Sequence, residues 1–145
     1  MAQISAKRVM SGTWGEVWVD NQPYAEISSF QAKISYNKTA QPMAGQMMED
    51  TKVTSAKGTG SLTVKKVYSR LAGYGDSLLE GIDHRVTIIG KLDDPDAYGC
   101  ERVALYNVSF DEEPLQDWQV GSTRELTIPF TFTQREWLEQ VEPNG

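Results

Sequence analysis

A chain of 145 residues with a formal net charge of −6 is long enough for one buried core and leaves little room for a second. The acidic balance argues against a nucleic-acid-binding protein, because affinity for phosphates normally comes from Lys and Arg, but it leaves open a surface that lets DNA pass without holding it. The single cysteine excludes an intramolecular disulfide and permits a reducing compartment. We therefore expect one domain, residues 1–145.

The N-terminus carries Lys7 and Arg8 without an apolar stretch behind them, which is not the pattern of a secretory signal. No stretch approaches the roughly 20 apolar residues that span a bilayer. We expect no membrane association, and synthesis in the cytoplasm, where the protein stays unless a larger particle carries it out.

Strand patterns dominate the first part of the chain. Residues 14–20 alternate, with the tryptophans on one side of the predicted strand and the valines on the other. Turn-forming residues at 20–23 lead to a second strand that begins near Tyr24. A third strand is predicted over residues 30–36, where apolar and polar side chains again alternate.

The alternation lapses between Lys38 and Lys57. At about 20 residues this stretch is longer than most connections in compact domains, whose median is near 4–6, so we expect a functional loop, a disordered segment or a protruding hairpin. Exposed methionines are adaptable contact residues and often mark a binding surface. The candidate contact residues in this loop are Pro42, Met43, Met47 and Met48. A strand is predicted to resume after Gly58-Thr59-Gly60.

One helix is predicted, beginning with Ser69 as its cap and ending at Gly81. Its expected apolar face consists of Leu71, Tyr74, Leu78 and Leu79. Strand patterns return at 85–92 and at 102–110. The residues expected on one side of the second of these strands are Ala104, Tyr106, Val108 and Phe110.

The clearest alternation runs from Ser122 to Thr133, as a half-buried strand requires. One face is predicted to hold Arg124, Leu126, Ile128, Phe130 and Phe132. The opposite face is predicted to hold Thr123, Glu125, Thr127, Pro129, Thr131 and Thr133. Pro129 has no N–H to donate, which predicts an edge position or an interruption at that point. The chain is predicted to be mainly β, a single-domain β-sandwich or barrel-like fold of about six to eight strands, with one short α-helix and a long extended loop.

Few residues offer catalytic or ligand-binding chemistry. His84 is the only histidine, and because neighbours in a strand face apart, a surface position is expected rather than an acid–base pair with Asp83. Cys100 lacks a recognisable nucleophile motif and is expected to be a small hydrophobe near a strand start. The run from Asp93 to Asp96 lacks the glycine and the distal glutamate of an EF-hand, so a turn is expected rather than a calcium site.

No catalytic residue, cofactor or metal is therefore predicted, and an enzyme is the least favoured class. The glycines at 58–60 precede a strand, so a phosphate would find no helix N-terminus there. The four tryptophans are Trp14, Trp18, Trp118 and Trp137. They could stack on bases, but without a basic stripe they are expected to fill the core or subunit interfaces. Trp14 and Trp18 are candidates for contacts between subunits.

The segment from Ser11 to Gln22 (SGTWGEVWVDNQ) resembles the opening hairpin of phage tail tube proteins of the PBSX prophage type, the XkdM-like family. The strand at 30–36, the long loop, the stretch from 58 to 63, the short helix and the closing strand at 126–133 follow in that family's order. The resemblance covers nearly the whole chain and rests on the order of the elements, without a catalytic motif.

The resemblance implies a subunit of the inner tube of a contractile tail, with the tail-tube fold. It implies stacked hexameric rings, in which each subunit gives strands to a continuous inner β-barrel around a channel that conducts DNA without specific binding. The loop at 38–57 would reach the neighbouring ring. The candidate residues for the channel lumen or a subunit interface are Thr123, Glu125, Thr127, Thr131 and Thr133. Whether Lys33 and Lys65 face the channel stays open.

The partners that the resemblance implies are further copies of the chain and the tail sheath, baseplate and tape-measure proteins. Assembly is expected in the host bacterial cytoplasm, and the assembled protein in the tail of the particle. Two alternatives remain: a tube subunit of the type VI secretion kind, and a monomeric β-rich ligand-binding module of OB-like or sandwich type. Neighbouring sheath and tape-measure genes would favour a phage-like tail, and saturable ligand binding would favour the module.

Overall fold

The computed structural model describes residues 5–67, 69 and 72–142. The strands within this part are β1 (Gly15–Val19), β2 (Gln22–Pro23), β3 (Ile27–Gln41), β4 (Asp50–Lys65), β5 (Val86–Leu92), β6 (Glu101–Phe110), β7 (Glu125–Phe132) and β8 (Gln134–Glu139). The helix α1 is Ala72–Leu79, and 3₁₀ turns lie at Ala6–Arg8 and Gly12–Trp14. The prediction of a mainly β chain with one short helix is confirmed.

The strands form one antiparallel sheet in the order β2-β1-β5-β6-β7-β4-β3, and β8 also pairs with β6. The sheet folds over at β6, whose first part pairs with β8 and whose last two residues pair with β7. Only Thr133 separates β7 from β8, and its N–H donates to the carbonyl of Tyr106 at 3.3 Å. As a result, side chains of β1, β5 and β6 meet those of β4 and β7 in a common core.

Aromatic rings fill the centre of this core. Phe130 on β7 is 1% exposed, and its ring centroid lies 6.3 Å from those of Phe30, Phe110 and Phe132. The helix α1 joins the core through Tyr74, whose ring stands edge-on to Phe110 at 5.1 Å. The Tyr74 hydroxyl also accepts a hydrogen bond from the N–H of Phe110 at 3.1 Å. This one side chain therefore fixes the helix both by packing and by satisfying a strand-end donor.

The opening hairpin turns where predicted, but its second strand is Gln22–Pro23 and ends before Tyr24, where that strand was expected to begin. Val17 and Val19 are buried, while the tryptophans of this segment lie on the outer side. Asp20 and Asn21 have positive φ angles of 50° and 67°, as a two-residue turn of type I′ requires, and Asp and Asn tolerate that conformation better than most residues. The Asp20 carboxylate accepts a hydrogen bond from the N–H of Thr87 at 2.9 Å, which ties the turn to β5.

The described helix α1 is Ala72–Leu79, and because residues 70 and 71 lie outside the described residues, the predicted cap at Ser69 stays a prediction. Leu71, assigned to its apolar face, lies outside the described residues. Leu79 is 86% exposed, so its assignment to that face was wrong. The predicted end is confirmed: Gly81 has a φ of +89°, and the N–H of Ile82 donates to the carbonyl of Ser77 at 2.9 Å, as in a Schellman motif.

A bulge in β6 overturns the prediction that its even-numbered residues share one side. Val86 pairs with Val108 but Ile88 pairs with Leu105, so β6 carries one more residue than β5 between these pairs. Asn107 takes a positive φ of 60° there. The bulge reverses the alternation, so that Leu105, Val108 and Phe110 belong to the core cluster while Ala104 and Tyr106 lie on the opposite side of the strand.

This bulge gives a direct test of backbone strain. Asn107→Val places a β-branched residue at a positive φ and is expected to lower the free energy of unfolding by about 1–2 kcal/mol. Asn107→Gly removes the strain but loses the Asn107 Nδ2 hydrogen bond to the Thr133 hydroxyl (3.1 Å), so its effect should be the smaller of the two. Chemical denaturation of both variants measures the difference, and equal losses would contradict the assignment of strain.

The stretch predicted as a long loop is mostly a protruding hairpin, one of the three forms expected for it. β3 and β4 stay paired as far as Gln41 and Asp50, so the connecting loop proper is only residues 42–49. We call residues 35–57 the arm, and every residue in it is exposed. The Gly58-Thr59-Gly60 segment lies inside β4 and does not precede a new strand, which corrects the predicted boundary.

Candidate assembly surfaces

The residues considered for ligand chemistry serve structural roles. Asp94 is buried, and its carboxylate accepts backbone N–H groups from Ser11 and from Asp96, each at 2.9 Å. It therefore closes a turn and ties the N-terminal segment to it, as the turn interpretation predicts. Within residues 5–67, 69 and 72–142, no three His, Cys, Asp or Glu side chains are grouped to hold a metal ion.

His84 and its neighbours do not form an acid–base pair. His84 is exposed, as predicted, and its ring lies 5.7 Å from that of Tyr74 in an edge-on arrangement. The carboxylate of Asp83 binds the Arg85 guanidinium instead, at 2.8 Å. This exposed ion pair contributes little to stability.

Cys100 precedes β6, as expected, but it is more than a small apolar side chain. Its thiol donates a hydrogen bond to the Glu139 carboxylate on β8. The pKa of the Cys100 thiol is raised, most of all by this hydrogen bond and further by desolvation and by the negative charge of Glu139. The thiol therefore links the start of β6 to the end of β8 in its neutral form.

The raised pKa makes Cys100 a slow nucleophile. Only the thiolate reacts with alkylating reagents, and a raised pKa lowers the thiolate fraction at any given pH. We expect iodoacetamide to modify Cys100 more slowly than it modifies the same thiol in the unfolded chain. Glu139→Ala should raise the rate, and mass spectrometry at a series of pH values measures it. An unchanged pH profile in Glu139→Ala would show that Glu139 does not control the thiol.

The arm has one apolar face. Ala32 and Ile34 lie on the side of β3 that faces the core. Beyond the core, the next residues on that side are Tyr36, Lys38 and Ala40. On β4 the residues opposite them are Thr51, Val53 and Ala56. Asn37 pairs with Ser55 but Lys38 pairs with Val53, so Thr54 is an extra residue in β4, a bulge. The residues named from β3 and those named from β4 therefore lie on the same face of the arm. The large apolar side chains Tyr36 and Val53 are both exposed there.

The other face of the arm is polar. The residues on it are Ser35, Asn37, Thr39, Gln41, Asp50, Lys52, Ser55 and Lys57. The Asn37 amide donates to the Ser55 hydroxyl at 2.8 Å across the two strands. This face continues along the sheet into the hydroxyl groups of β4 and β7, where Thr63 and Thr127 lie 3.4 Å apart. It continues also through Lys33 and Lys65.

The predicted contact residues lie in two places. Pro42, Met43, Met47 and Met48 form the loop at the tip of the arm, where Met47 is 98% exposed. Trp14 ends the 3₁₀ turn before β1, and Trp18 points outward from β1. Trp14, Trp118 and Trp137 are exposed and Trp18 is half-buried, so the core, one of the two places expected for the tryptophans, does not hold them. Their place in subunit interfaces stays a prediction.

The candidate lumen or interface residues lie partly on β7 and partly at its two ends. Glu125, Thr127 and Thr131 lie on the outward face of β7, opposite its buried side chains. Thr123 precedes β7, and Thr133 occupies the bend before β8. Pro129 marks an interruption, as predicted, because the pairing of β7 with β6 ends at Phe130. The Pro129 carbonyl accepts the N–H of Asp111 at 2.8 Å and therefore points toward β6. The N–H that proline lacks would point the same way, toward the place where the pairing of β6 with β7 ends.

The segment that joins β6 to β7 carries a surface that the sequence patterns did not indicate. We call residues 111–124 the tongue. Its large apolar side chains are exposed, Trp118 by 70% and Val120 by 90%. Arg124, predicted on the apolar face of β7, instead binds the side chains of Gln119 (2.5 Å) and Asp117 (3.7 Å). Trp118 is the residue in the sequence that could have indicated this surface.

The tongue holds its own shape. Gln119 and Ser122 form an isolated bridge around a tight turn, with the N–H of Ser122 donating to the carbonyl of Gln119 at 3.2 Å. Gly121 supplies the positive φ of 86° that this turn requires. The exposed apolar side chains are therefore presented on an ordered turn rather than on an open connection.

None of the helices in the described part of the chain is long and apolar enough to cross a membrane.

Comparison with known proteins gives a consistent result. A family model described as "Phage tail tube protein" matches residues 2–139. The chain is 35% identical to the phage-like element PBSX protein XkdM of Bacillus subtilis (strain 168) over 132 residues, which cover 89% of this chain and 90% of that protein.

Solved structures show the same fold. A chain in the cryo-EM structure of the anti-feeding prophage cap, which terminates a tube, is similar with a TM-score of 0.69 and 9% identity, covering 96% of this chain and 97% of that one. A chain in the sheath–tube complex of an extracellular contractile injection system is similar with a TM-score of 0.65 and 10% identity, covering 93% and 98%.

Proposed function

The chain belongs to the phage tail tube protein family, and on that premise we propose that its copies assemble into stacked hexameric rings that form the inner tube of a contractile phage or phage-like tail. The family resemblance seen in the sequence is confirmed, and with it the expectation of a structural protein rather than an enzyme. The channel of the tube conducts DNA without holding it, in keeping with the net charge of −6.

The arm is the observation that carries the proposal. Residues 35–57 are all exposed, although they form a paired hairpin that includes Tyr36, Val53 and three methionines at or near its tip. A two-stranded hairpin on its own is marginally stable in water and gains stability when it packs against another surface. A second copy of the chain, in the same ring or the next, supplies that surface.

The polar face of β3, β4 and β7 fits a position against the channel or against a neighbouring subunit. Its hydroxyl side chains and lysines do not bury apolar area, so they suit a wet surface better than a dry interface. Growth of the tube begins on a baseplate. A sheath encloses the tube, and a tape-measure protein sets its length. The protein assembles in the bacterial cytoplasm and ends in the tail of the particle.

Light scattering and negative-stain microscopy of the purified protein test the proposal. We expect rings or tubes of uniform diameter to appear as concentration rises, or when baseplate is added. A strict monomer at all concentrations, with baseplate present, would contradict it. Symmetry averaging of end-on views checks the number of subunits in each ring.

A further inference from the structure

The arm is positively charged in a protein that is negatively charged overall. Residues 35–57 contain three lysines, Lys38, Lys52 and Lys57, against the two acidic residues Glu49 and Asp50, whereas the whole chain has a net charge of −6. Lys38 lies on the apolar face, paired across the hairpin with Val53 and on the same side as Tyr36. That face therefore combines exposed apolar side chains with a positive charge.

The tongue has the opposite charge and the same kind of apolar exposure. Residues 111–124 contain four acidic side chains and one basic residue, Arg124, which pairs with Asp117. Leu115, Trp118 and Val120 are exposed beside them. The two surfaces match in chemistry, since each combines apolar area with a net charge opposite in sign to that of the other.

We propose that the apolar face of the arm docks on the tongue of a second copy of this chain. The proposal rests on the proposed function, because it requires that copies associate. Tyr36 and Val53 pack against Trp118 and Val120, and Lys38 approaches the acidic residues of the tongue. Within one chain the arm and the tongue are both exposed, so the contact is made between copies.

The contact has a consequence for symmetry. The arm and the tongue are different surfaces, so their contact is heterologous and repeats from copy to copy. Such a contact closes into rings or continues as a helical stack, whereas a self-complementary contact would stop at a dimer. The proposed contact is therefore of the type that a tube needs.

Cross-linking between single cysteines tests this contact without removing any of its apolar side chains. Cys100 is the chain's own cysteine, so Cys100→Ala provides a background free of thiols. One protein carries Ala40→Cys on the apolar face of the arm, and a second protein, of different tagged mass, carries Gln116→Cys on the tongue. The matched control replaces Ala40→Cys by Thr39→Cys, the adjacent residue on the polar face of the arm.

The two proteins are mixed under assembly conditions and treated with a short bismaleimide. We expect the product between positions 40 and 116 to exceed the product between 39 and 116 by at least about tenfold, because docking raises the effective concentration of the facing thiols. Its yield should fall as salt is raised toward about 1 M, where charge attraction is screened.

Equal yields from positions 39 and 40 would overturn the docking of the apolar face, and so would the absence of both products. A yield that does not change with salt would overturn the role of the charges. Microscopy of the unmodified protein separates these outcomes from the proposed function: rings without the 40–116 product leave the tube intact and remove the contact, whereas no rings at all removes the proposed function.

Discussion

Gly60→Val is expected to lower the free energy of unfolding by about 3 kcal/mol, the upper end of the usual cost of overpacking a core. Gly60 on β4 lies directly opposite Phe130 on β7, and a Cβ at this position would meet both the Phe130 ring and the carbonyl oxygen of Gln31. Phe130 is held between Phe30 and Phe110, so its ring has no space into which it can move.

Gly73→Ala is the matched control for this prediction. Gly73 lies in α1, and among the described residues no atom lies within 4 Å of a Cβ built there. Alanine is favoured over glycine in a helix by up to about 1 kcal/mol, so this variant should be slightly more stable than the parent. Chemical denaturation of both proteins measures the contrast. A Gly60→Val protein as stable as Gly73→Ala would show that the core accommodates the extra carbons.

The same geometry explains why the sequence misplaced this part of β4. Glycines separated by a threonine suggest a loop when only local preference is considered. In the structure Gly58 lies under the ring of Phe132 and Gly60 under that of Phe130. Each glycine is in a strand because an aromatic side chain from β7, far away in sequence, occupies the space of its missing side chain.

Elements set by local alternation could be predicted well. The buried side chains of β7 and the turn at Asp20 and Asn21 follow from neighbouring residues alone. The bulge at Asn107 could not, since it depends on how β5 and β6 pair. Nor could β8, which follows β7 after Thr133 and is a strand because β6 offers it an edge.

Of the candidate surfaces, one could be predicted from the local sequence and the other could not. Met43, Met47 and Met48 could be assigned to an exposed loop from the sequence, and they lie at the tip of the arm. The tongue could not be recognised, because its exposed side chains depend on a turn that Arg124 and Gly121 stabilise. A run of acidic residues before a proline is typical of an ordinary solvated connection.

Shortening the arm should separate folding from assembly. Ala40 and Thr51 are partners across the hairpin. Replacing residues 41–50 by Asn-Gly connects them through a two-residue turn of the kind that hairpins favour. The removed residues are all exposed and bury no part of the core. The free energy of unfolding of the monomer should therefore change by less than about 1 kcal/mol.

Assembly should be lost in the same variant. The replacement removes all three methionines of the tip and shortens the surface that a neighbouring copy can contact, so we expect no rings at concentrations where the parent forms them. Leu79→Ser removes an exposed apolar side chain from α1 and serves as the control, with assembly expected at the parent level. Light scattering, microscopy and chemical denaturation together measure both properties. Rings of normal size from the shortened protein would show that the tip takes no part in assembly, and a large loss of stability would show that the arm supports the core of its own subunit.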